Sequence, residues 1–317
     1  MSEYAKTVTI YGYGKINLSI DVLGVQEDGL HQVDMIMQSV ELKDHINIKY
    51  IRGNTPQWSI ELTCDKPYVP CDQRNLAYKA CQMMIDRYGE KLDISGGIIK
   101  IDIKKWIPVS GGMAGGSADC AAVIHGLNYL WKLNLSLDEM MGLGGSLGSD
   151  VPFCISSQAW GNKVLKDSIK GVSRSYTCAR AIDTGKVLTP VKPLKAVLVL
   201  ARPAISVSTK EVYQGIDDCK INVHPDNDKL VQYLESNQYV SARDEMINVL
   251  ENYTLNAKKK VARLKRTMEE MVPDGRVLMS GSGPTIFAIC NSFEQAKEAC
   301  KQLREKGYTA YWTKTMW

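Results

Sequence analysis

The N-terminal third of the chain is dominated by alternation of apolar and polar residues, the period of two that β-strands show. The alternation predicts strands over 15–23, 35–42, 46–51 and 97–103, with an Asp28-Gly29 turn after the first of them. Apolar residues take a helical spacing over 75–88, and Gly89 is placed to end that helix. This part of the chain is therefore predicted to be an α+β structure rather than a regular βαβ alternation.

The rest of the chain also mixes the two periods. Helices are predicted over 120–131, from Ser136 onward, and over 210–216, 229–234, 257–271 and 292–306; strands are predicted over 196–200, 277–279, 286–289 and 310–312. Residues 156–186 are polar and weakly patterned, which indicates an excursion between two halves. We therefore predict an N-terminal domain over 1–160, a connection over 161–188 and a C-terminal domain over 189–317.

Composition excludes several classes of protein. Apolar residues make up 44% and charged residues 23% of 317 positions, which is typical of a soluble globular protein. A net charge of +4 without a long basic run argues against a nucleic-acid partner. Nine cysteines without a CxxC pair predict neither a zinc site nor a disulfide framework. The absence of a leader pattern or a long apolar stretch predicts a cytoplasmic protein without a membrane partner.

The most unusual stretch is rich in glycine and leads directly into a helical pattern. It is Pro108-Val-Ser-Gly-Gly-Met-Ala-Gly-Gly-Ser117. Backbone without side chains can present several N–H groups to one anion, and the following helix adds its positive dipole end. These properties suit a triphosphate, and Ser117 could cap the helix, bind Mg²⁺ or contact a phosphate oxygen. The segment matches neither a Walker A motif nor a dinucleotide fingerprint, and a glycine-assisted turn is the alternative interpretation.

Three further features carry chemistry only in combination. Lys15 and Asn17 interrupt an apolar strand, Gly281-Ser-Gly283 separates two predicted strands, and Asp150 lies in a Gly-Ser-Asp-Val-Pro turn. Taken singly, each has a plain structural interpretation: a lysine that reaches solvent, a tight turn and a turn aspartate.

Together these segments resemble the GHMP kinases, the family named for galactokinase and for homoserine, mevalonate and phosphomevalonate kinases. The residues that carry the resemblance are Gly14-Lys-Ile-Asn-Leu18, Asp28-Gly29-x-His31, Arg74-Asn-Leu-Ala-Tyr78, Pro108–Ser117, Gly148-x-Asp150-Val-Pro-Phe153, Val207-Ser-Thr209, His224-Pro225, Asn248-Val-Leu-Glu251 and Gly281–Thr285. They follow the order of the family and span nearly the whole chain. Within the family they are most similar to the members that phosphorylate a cytidylated polyol in isoprenoid precursor biosynthesis.

The resemblance implies a two-domain GHMP kinase fold, with an N-terminal domain like domain 2 of ribosomal protein S5 and a ferredoxin-like C-terminal domain. ATP, Mg²⁺ and a small-molecule substrate would meet in the cleft between them, in a monomer or a homodimer. Asp150 would face the acceptor hydroxyl, while Lys15 would hold Asp150 and make that hydroxyl more acidic. ATP contacts are expected from Asn75, Lys105, Pro108, Ser110, Gly111, Gly112, Met113, Ala114, Gly115, Gly116 and Ser117, with Ser117 as a candidate Mg²⁺ ligand. Substrate contacts are expected from Asn17, Leu30, His31, Ile205, Ser208, Thr209, Gly281, Ser282 and Gly283.

Three departures from the family pattern bear on the substrate. Leu30 stands where a tyrosine usually precedes the substrate-binding His31, and Ile205 stands where an aromatic residue usually covers the other face of the cytosine. Losing both rings removes stacking worth about 1–3 kcal/mol per base contact. An insertion follows Ile155, and it is expected to be a solvated loop or a substrate lid.

Two alternatives to the cytidylated substrate therefore stay open. One is a family kinase that acts on a different polyol or alcohol, which Leu30 and Ile205 favour. The other is a non-catalytic, nucleotide-binding family protein, which the presence of Lys15, Ser117 and Asp150 argues against.

Overall fold

The computed structural model describes residues 5–27, 29–53, 57–92 and 96–317. By their contacts these residues form two compact units that interleave along the chain. The first unit comprises Lys43–Val109 and Gly115–Tyr176 together with the chain up to Gly14; the second comprises Lys15–Leu42, Ser110–Ala114 and Thr177–Trp317. The sequential domains over 1–160 and 189–317, with a connection over 161–188, stay a prediction.

The strands and helices of the described residues are as follows. The strands are β1 (Ala5–Val25), β2 (His31–Arg52), β3 (Trp58–Cys64), β4 (Gly97–Lys104), β5 (Cys178–Asp183), β6 (Val187–Pro190), β7 (Val197–Arg202), β8 (Val277–Met279), β9 (Ile286–Cys290) and β10 (Thr309–Lys314). The helices are α1 (Leu76–Tyr88), α2 (Gly115–Trp131), α3 (Leu137–Gly145), α4 (Val151–Gly161), α5 (Thr209–Ile216), α6 (Asn227–Glu235), α7 (Tyr239–Asp244), α8 (Glu251–Ala257), α9 (Lys259–Met271) and α10 (Phe293–Glu305).

The first unit packs three helices around a buried fourth one, α2. The end of β2 pairs antiparallel with β4, from His45 opposite Lys104 to Arg52 opposite Gly97, and β3 lies parallel to β4. α1 and α4 pack against α2, and α3 packs against α4. α2 is buried along nearly its whole length, as expected of a helix that is apolar on every side. This helix therefore forms the core of the unit, and its N-terminus is where the glycine-rich segment ends.

The second unit contains an antiparallel sheet in the order β10-β7-β9-β8. α10 packs against β10 and β7, while α9 packs against β8 and β9. The start of β2 pairs antiparallel with β5, which pairs in turn with β6. Strands and helices are mixed in both units, so the predicted α+β class is confirmed.

Most predicted elements are confirmed, and their local causes are visible. Asn75 caps α1 by accepting a hydrogen bond from the amide of Ala77 at 2.9 Å. Ser136 and Glu139 form a capping box at the start of α3, where the sequence predicts a helix from Ser136 onward. In the turn after β1, the amide of Gly29 donates to the carbonyl of Gln26 at 2.9 Å; Asp28 lies outside the described residues.

Two predictions of secondary structure are wrong. The strands expected over 35–42 and 46–51 are one strand, β2, because no glycine or proline interrupts the run between them. Residues 156–161 complete α4 instead of beginning an irregular excursion. The polar residues that suggested an exposed segment are buried and hydrogen-bonded. The Gln158 side-chain amide donates to the backbone carbonyl of Ala118 at 2.8 Å, and the Ser156 hydroxyl donates to the backbone carbonyl of Tyr176 at 3.2 Å. Among the described residues, α4, α7, α8, β3, β5 and β6 were not predicted.

The insertion after α4 is anchored to the first unit. Leu165 and Ile169 are buried, so this segment is not a loop that lies in solvent. The carbonyl of Ser168 accepts a hydrogen bond from the Asn128 side chain at 3.0 Å, and the carbonyl of Lys170 accepts one from the Leu137 amide at 2.9 Å. A role as a substrate lid stays a prediction.

Two further sequence expectations concern membranes and thiols. Within the described ranges, no helix has both the length and the apolar character needed to cross a bilayer. All nine cysteines are free thiols.

A buried histidine in α2 should make the fold sensitive to acid. His125 Nε2 donates to the carbonyl of Ile155 at 2.9 Å, and burial lowers the pKa of His125 from 6.5 to about 4. Because the folded pKa lies below the unfolded one, this contribution is present above about pH 6.5 and is lost as the pH falls toward 4. The shift corresponds to about 3 kcal/mol.

His125→Gln should reduce that loss, since the glutamine amide can still donate to Ile155 but cannot become charged. Urea unfolding of the parent and the variant near pH 7 and near pH 4 gives the comparison. An equal loss of unfolding free energy in both proteins would contradict the assignment.

Candidate active site

The glycine-rich segment is an irregular loop that enters α2 at Gly115. Ser110, Gly112 and Ala114 have φ angles of +52°, +73° and +57°, so left-handed residues recur at every second position. Alternation of this kind turns successive N–H groups toward one side and produces a concave anion site. Two of these residues carry side chains, which is uncommon at positive φ and indicates that the surrounding structure fixes the backbone. The loop thus has the shape that phosphate oxygens require.

Within the second unit, residues 110–114 pack against the turn formed by Ser280–Gly283. The Ser280 hydroxyl donates to the carbonyl of Gly112 at 2.9 Å. A Cβ at Gly112 would overlap the carbonyl oxygen of Ser280, and one at Gly281 would lie 3.0 Å from the carbonyl oxygen of Gly112. The two glycine-rich segments are therefore in backbone contact, which any side chain at these positions would prevent.

Side chains from the second unit hold the 280–283 turn from behind. Asn248 Nδ2 donates to the carbonyls of Met279 and Gly281 at 2.7 and 2.8 Å. Glu251 accepts a hydrogen bond from the Met279 amide at 2.7 Å, and the hydroxyl of Thr209 lies 3.1 Å from that of Ser282. Asn248 and Glu251 thus fix the conformation of the turn, a supporting role that the sequence motif containing them did not specify.

Lys15 joins the same group of segments. Its backbone amide donates to the carbonyl of Met113 at 3.1 Å, which attaches β1 to the glycine-rich loop. Its side chain is buried and donates to Asn17 Oδ1 at 2.7 Å, while Asn17 Nδ2 donates to the sulfur of Met35 at 3.3 Å. Burying an ammonium or an amide costs free energy unless the group is hydrogen-bonded. The hydrogen bonds of Lys15 and Asn17 therefore fix where these side chains lie in β1.

The first unit holds the remaining residues predicted for ATP and catalysis. Asp150 is the N-cap residue of α4, at the positive end of that helix dipole. The side-chain amide of Asn75 donates to the carbonyl of Pro70 at 2.8 Å and also caps α1, so both of its ends are used within the protein. Gly116 is exposed and Ser117 half-buried in the first turn of α2. Lys105, by contrast, is buried behind this turn.

Comparison with known proteins adds an independent line of support. The family model described as the GHMP kinases N terminal domain matches residues 75–158, and the model described as GHMP kinases C terminal matches residues 224–309. The chain belongs to the GHMP kinase family. The two matched regions contain α1, α2, α3 and most of α4 in the first unit, and the sheet strands β8 and β9 in the second.

Relatives of this GHMP kinase match it over nearly its full length. A protein of Clostridium botulinum (strain Eklund 17B / Type B) named 4-diphosphocytidyl-2-C-methyl-D-erythritol kinase is 38% identical over 98% of this chain and 100% of its own. A protein of the same name from Clostridioides difficile (strain 630) is 38% identical over 94% of this chain and 91% of its own.

Solved structures share the fold at lower identity. A crystal structure of 4-(cytidine 5'-diphospho)-2C-methyl-D-erythritol kinase has a TM-score of 0.75 at 23% identity and covers 97% of this chain and 99% of its own. Homoserine kinase from Cytophaga hutchinsonii has a TM-score of 0.64 at 13% identity, with 100% and 96% covered. The predicted two-domain GHMP kinase fold is thus confirmed.

In this GHMP kinase the predicted substrate residue His31 lies in the second unit. His31 Nε2 lies 2.8 Å from Asp217 Oδ1, and the ring of Tyr213 lies 5.0 Å from the imidazole, tilted by 50°. Leu30 is half exposed and Ile205 half-buried. Ser208 caps the N-terminus of α5, the helix that contains Tyr213, and Asp217 is the C-cap residue of that helix.

Tyr213 and Asp217 were not found from the sequence of this family member. The only indication in the sequence was the helical spacing of apolar residues in α5, where Val212 and Ile216 are buried. Residues on the other faces of the helix remain able to contact other segments. Nothing in that spacing indicates that β2 brings His31 to the same place.

The first unit also contains a groove. It has a volume of about 810 Å³, and α1 contributes Tyr78, Lys79, Gln82 and Arg87 to its wall. None of the predicted site residues lines it, so the candidate site is defined by the motifs and their contacts. Among the described residues, no group of three or more His, Cys, Asp or Glu side chains is arranged to hold a metal ion.

Proposed function

We propose that this chain is an ATP-dependent kinase that phosphorylates the hydroxyl at position 2 of 4-diphosphocytidyl-2-C-methyl-D-erythritol in isoprenoid precursor biosynthesis. The observation that carries the proposal is 38% identity to proteins named as that kinase, over nearly the whole length of both chains. Location in the cytoplasm and a monomeric or homodimeric state are proposed from the sequence.

The phosphate loop supports ATP as the donor. Phosphoryl transfer needs positioning and charge neutralisation rather than covalent work by the protein. The left-handed residues 110, 112 and 114 and the first turn of α2 supply N–H groups for phosphate oxygens. Mg²⁺ commonly binds through substrate phosphates and one or two protein oxygens. In this chain the hydroxyl of Ser117 would be one such oxygen, and the ion would neutralise phosphate charge.

The surroundings of His31 support a base on the acceptor. In the neutral form of His31, Nε2 carries the proton because it faces the Asp217 carboxylate, and Nδ1 is an acceptor. An acceptor suits the exocyclic amino group that distinguishes cytosine. Tyr213 supplies an aromatic ring beside His31 that Leu30 and Ile205 cannot supply. The loss of stacking that the sequence indicated is thereby offset within this proposal.

The first experiment measures ATP turnover with a panel of cytidylated and plain polyols. Turnover that requires the cytidylated compound supports the proposal. Turnover with a plain polyol alone would favour the alternative that Leu30 and Ile205 suggest. Nucleotide binding without any turnover would favour a non-catalytic role.

Substitutions around His31 test how the base is held. Tyr213→Leu should raise KM for the cytidylated substrate about tenfold, since a base contact with an aromatic ring is worth about 1–3 kcal/mol. His31→Ala should cost more, because a site built to bond a base edge discriminates strongly once that bond is lost. Leu30→Tyr should lower KM for the cytidylated substrate about fivefold, which corresponds to about 1 kcal/mol of binding free energy. KM for ATP should stay unchanged in all three.

Tyr68→Leu is the matched control, since Tyr68 is an exposed tyrosine of the first unit. Its kinetics should equal those of the parent. A parent-like KM in both Tyr213→Leu and His31→Ala would sink the base-binding assignment.

A further inference from the structure

A buried ion cluster lies behind the first turn of α2. Lys105 Nζ is 2.5 Å from Asp44 Oδ2 and 2.7 Å from Asp119 Oδ2, and the three side chains are only 3%, 0% and 4% exposed. Burial by itself lowers the pKa of Lys105, but the two carboxylates outweigh it and raise that pKa, so the ammonium stays charged. Buried ion pairs add little net stability compared with apolar residues, so stability does not account for the cluster.

Asp44 ties the cluster to the backbone that precedes the phosphate loop. Its Oδ1 accepts hydrogen bonds from the amides of Trp106 and Ile107 at 2.6 and 2.8 Å. The amide of Lys105 itself donates to Asp65 Oδ1 at 2.8 Å. Three consecutive amides are thus fixed by two carboxylates, immediately before Pro108.

Asp119 ties the cluster to the helix that follows the loop. It lies in α2 four residues after Gly115, hence on the same face one turn later. A Cβ at Gly115 would lie 3.2 Å from Lys105 Nζ and 3.1 Å from Ile107 Cγ2, so a side chain at the first residue of the helix would crowd the ammonium. Asp119 Oδ1 is buried, and no described residue offers it a hydrogen-bond partner. Burial raises the pKa of Asp119, while the neighbouring Lys105 ammonium lowers it.

We propose that Asp44, Lys105 and Asp119 are positioning residues that set the N-terminus of α2, and with it the amides of Gly115–Ser117, for the phosphates of the nucleotide. The cluster joins the segment before the loop to the helix after it, through side chains that solvent does not reach. The sequence resemblance implied that Lys105 contacts the adenine. In this proposal Lys105 acts instead by positioning the phosphate-binding backbone. The proposal rests on ATP being the phosphoryl donor.

The experiment compares Lys105→Met, Asp119→Asn and a matched control, Lys100→Met. Lys100 lies in β4 and forms an exposed ion pair with Glu61 at 2.7 Å, so its substitution removes the same charge without touching the cluster. Affinity for ADP and inhibition by inorganic tripolyphosphate are measured for each protein, together with KM for ATP, KM for the acceptor and kcat.

Lys105→Met should weaken ADP and tripolyphosphate binding by a similar factor of at least about ten, since a small misplacement of binding groups can cost about 10²-fold. KM for the acceptor should change less than about threefold, and Lys100→Met should match the parent. Asp119→Asn should show a smaller loss in the same direction. It preserves the shape of the side chain, so it keeps the test available if Lys105→Met does not fold.

Two results would overturn the proposal. Unchanged ADP and tripolyphosphate binding in folded variants would mean that the cluster is only structural. Weaker ADP binding with unchanged tripolyphosphate inhibition would mean that Lys105 serves the nucleoside. A parent protein that binds neither compound would instead contradict the proposed kinase function, so the two failures are distinguishable.

Discussion

Asp150→Asn is expected to lower kcat by a factor of about 10²–10⁴, the contribution usual for a positioned acid–base group. The substitution removes the negative charge that the family resemblance assigns to the acceptor hydroxyl, while keeping the size of the side chain. Folding should be preserved, because the Asp150 side chain makes no capping hydrogen bond to α4 that the substitution could remove. KM for ATP should change little, since the carboxylate is assigned to the acceptor. Steady-state kinetics with saturating ATP and acceptor measure the effect.

Asp167→Asn is the control for this prediction, because Asp167 is an exposed carboxylate of the same unit. Its kcat should equal that of the parent. Lys15→Met should reproduce the loss seen with Asp150→Asn and leave KM for ATP nearly unchanged, if Lys15 serves the acceptor side. A kcat for Asp150→Asn within tenfold of the parent would show that the assigned role is wrong.

Gly112→Ala is expected to weaken ATP binding by about 10²-fold or more, because the loop must move to accept the new side chain. Gly112 has a φ of +73°, which alanine adopts only with strain, and its Cβ would overlap the carbonyl oxygen of Ser280. Backbone cannot yield as a flexible side chain can, so the contact between the loop and the 280–283 turn is lost. Unfolding free energy should fall by about 1–3 kcal/mol.

Gly142→Ala supplies the matched control. Gly142 lies within α3, and nothing approaches within 4 Å of the position that a Cβ would take. Its ATP affinity should equal that of the parent, and its stability should rise by up to about 1 kcal/mol, since alanine favours helix more than glycine does. If Gly112→Ala binds an ATP analogue within about threefold of the parent, the loop is only a turn.

Local sequence patterns were sufficient to predict most helices and strands. They were insufficient where the burial of polar residues determined the structure. The cap of α1 at Asn75 and the capping box of α3 depend on residues three or fewer positions apart, so they could be predicted. The end of α4 could not, because Ser156 and Gln158 look solvated in sequence and are buried through partners 20 and 40 residues away. The same limit applies to the insertion, whose buried Leu165 and Ile169 form no periodic pattern.

The candidate site divides in the same way. The sequence by itself determined the GHMP kinase family, the glycine-rich loop and the segments around Lys15 and Gly281, because these depend on residue type at fixed spacing. Only the tertiary structure placed Tyr213 and Asp217 beside His31 and put Lys105 between Asp44 and Asp119. The physical reason is range: spacing along a helix or strand specifies local geometry, whereas a lysine acquires its role from carboxylates that distant strands and helices bring to it.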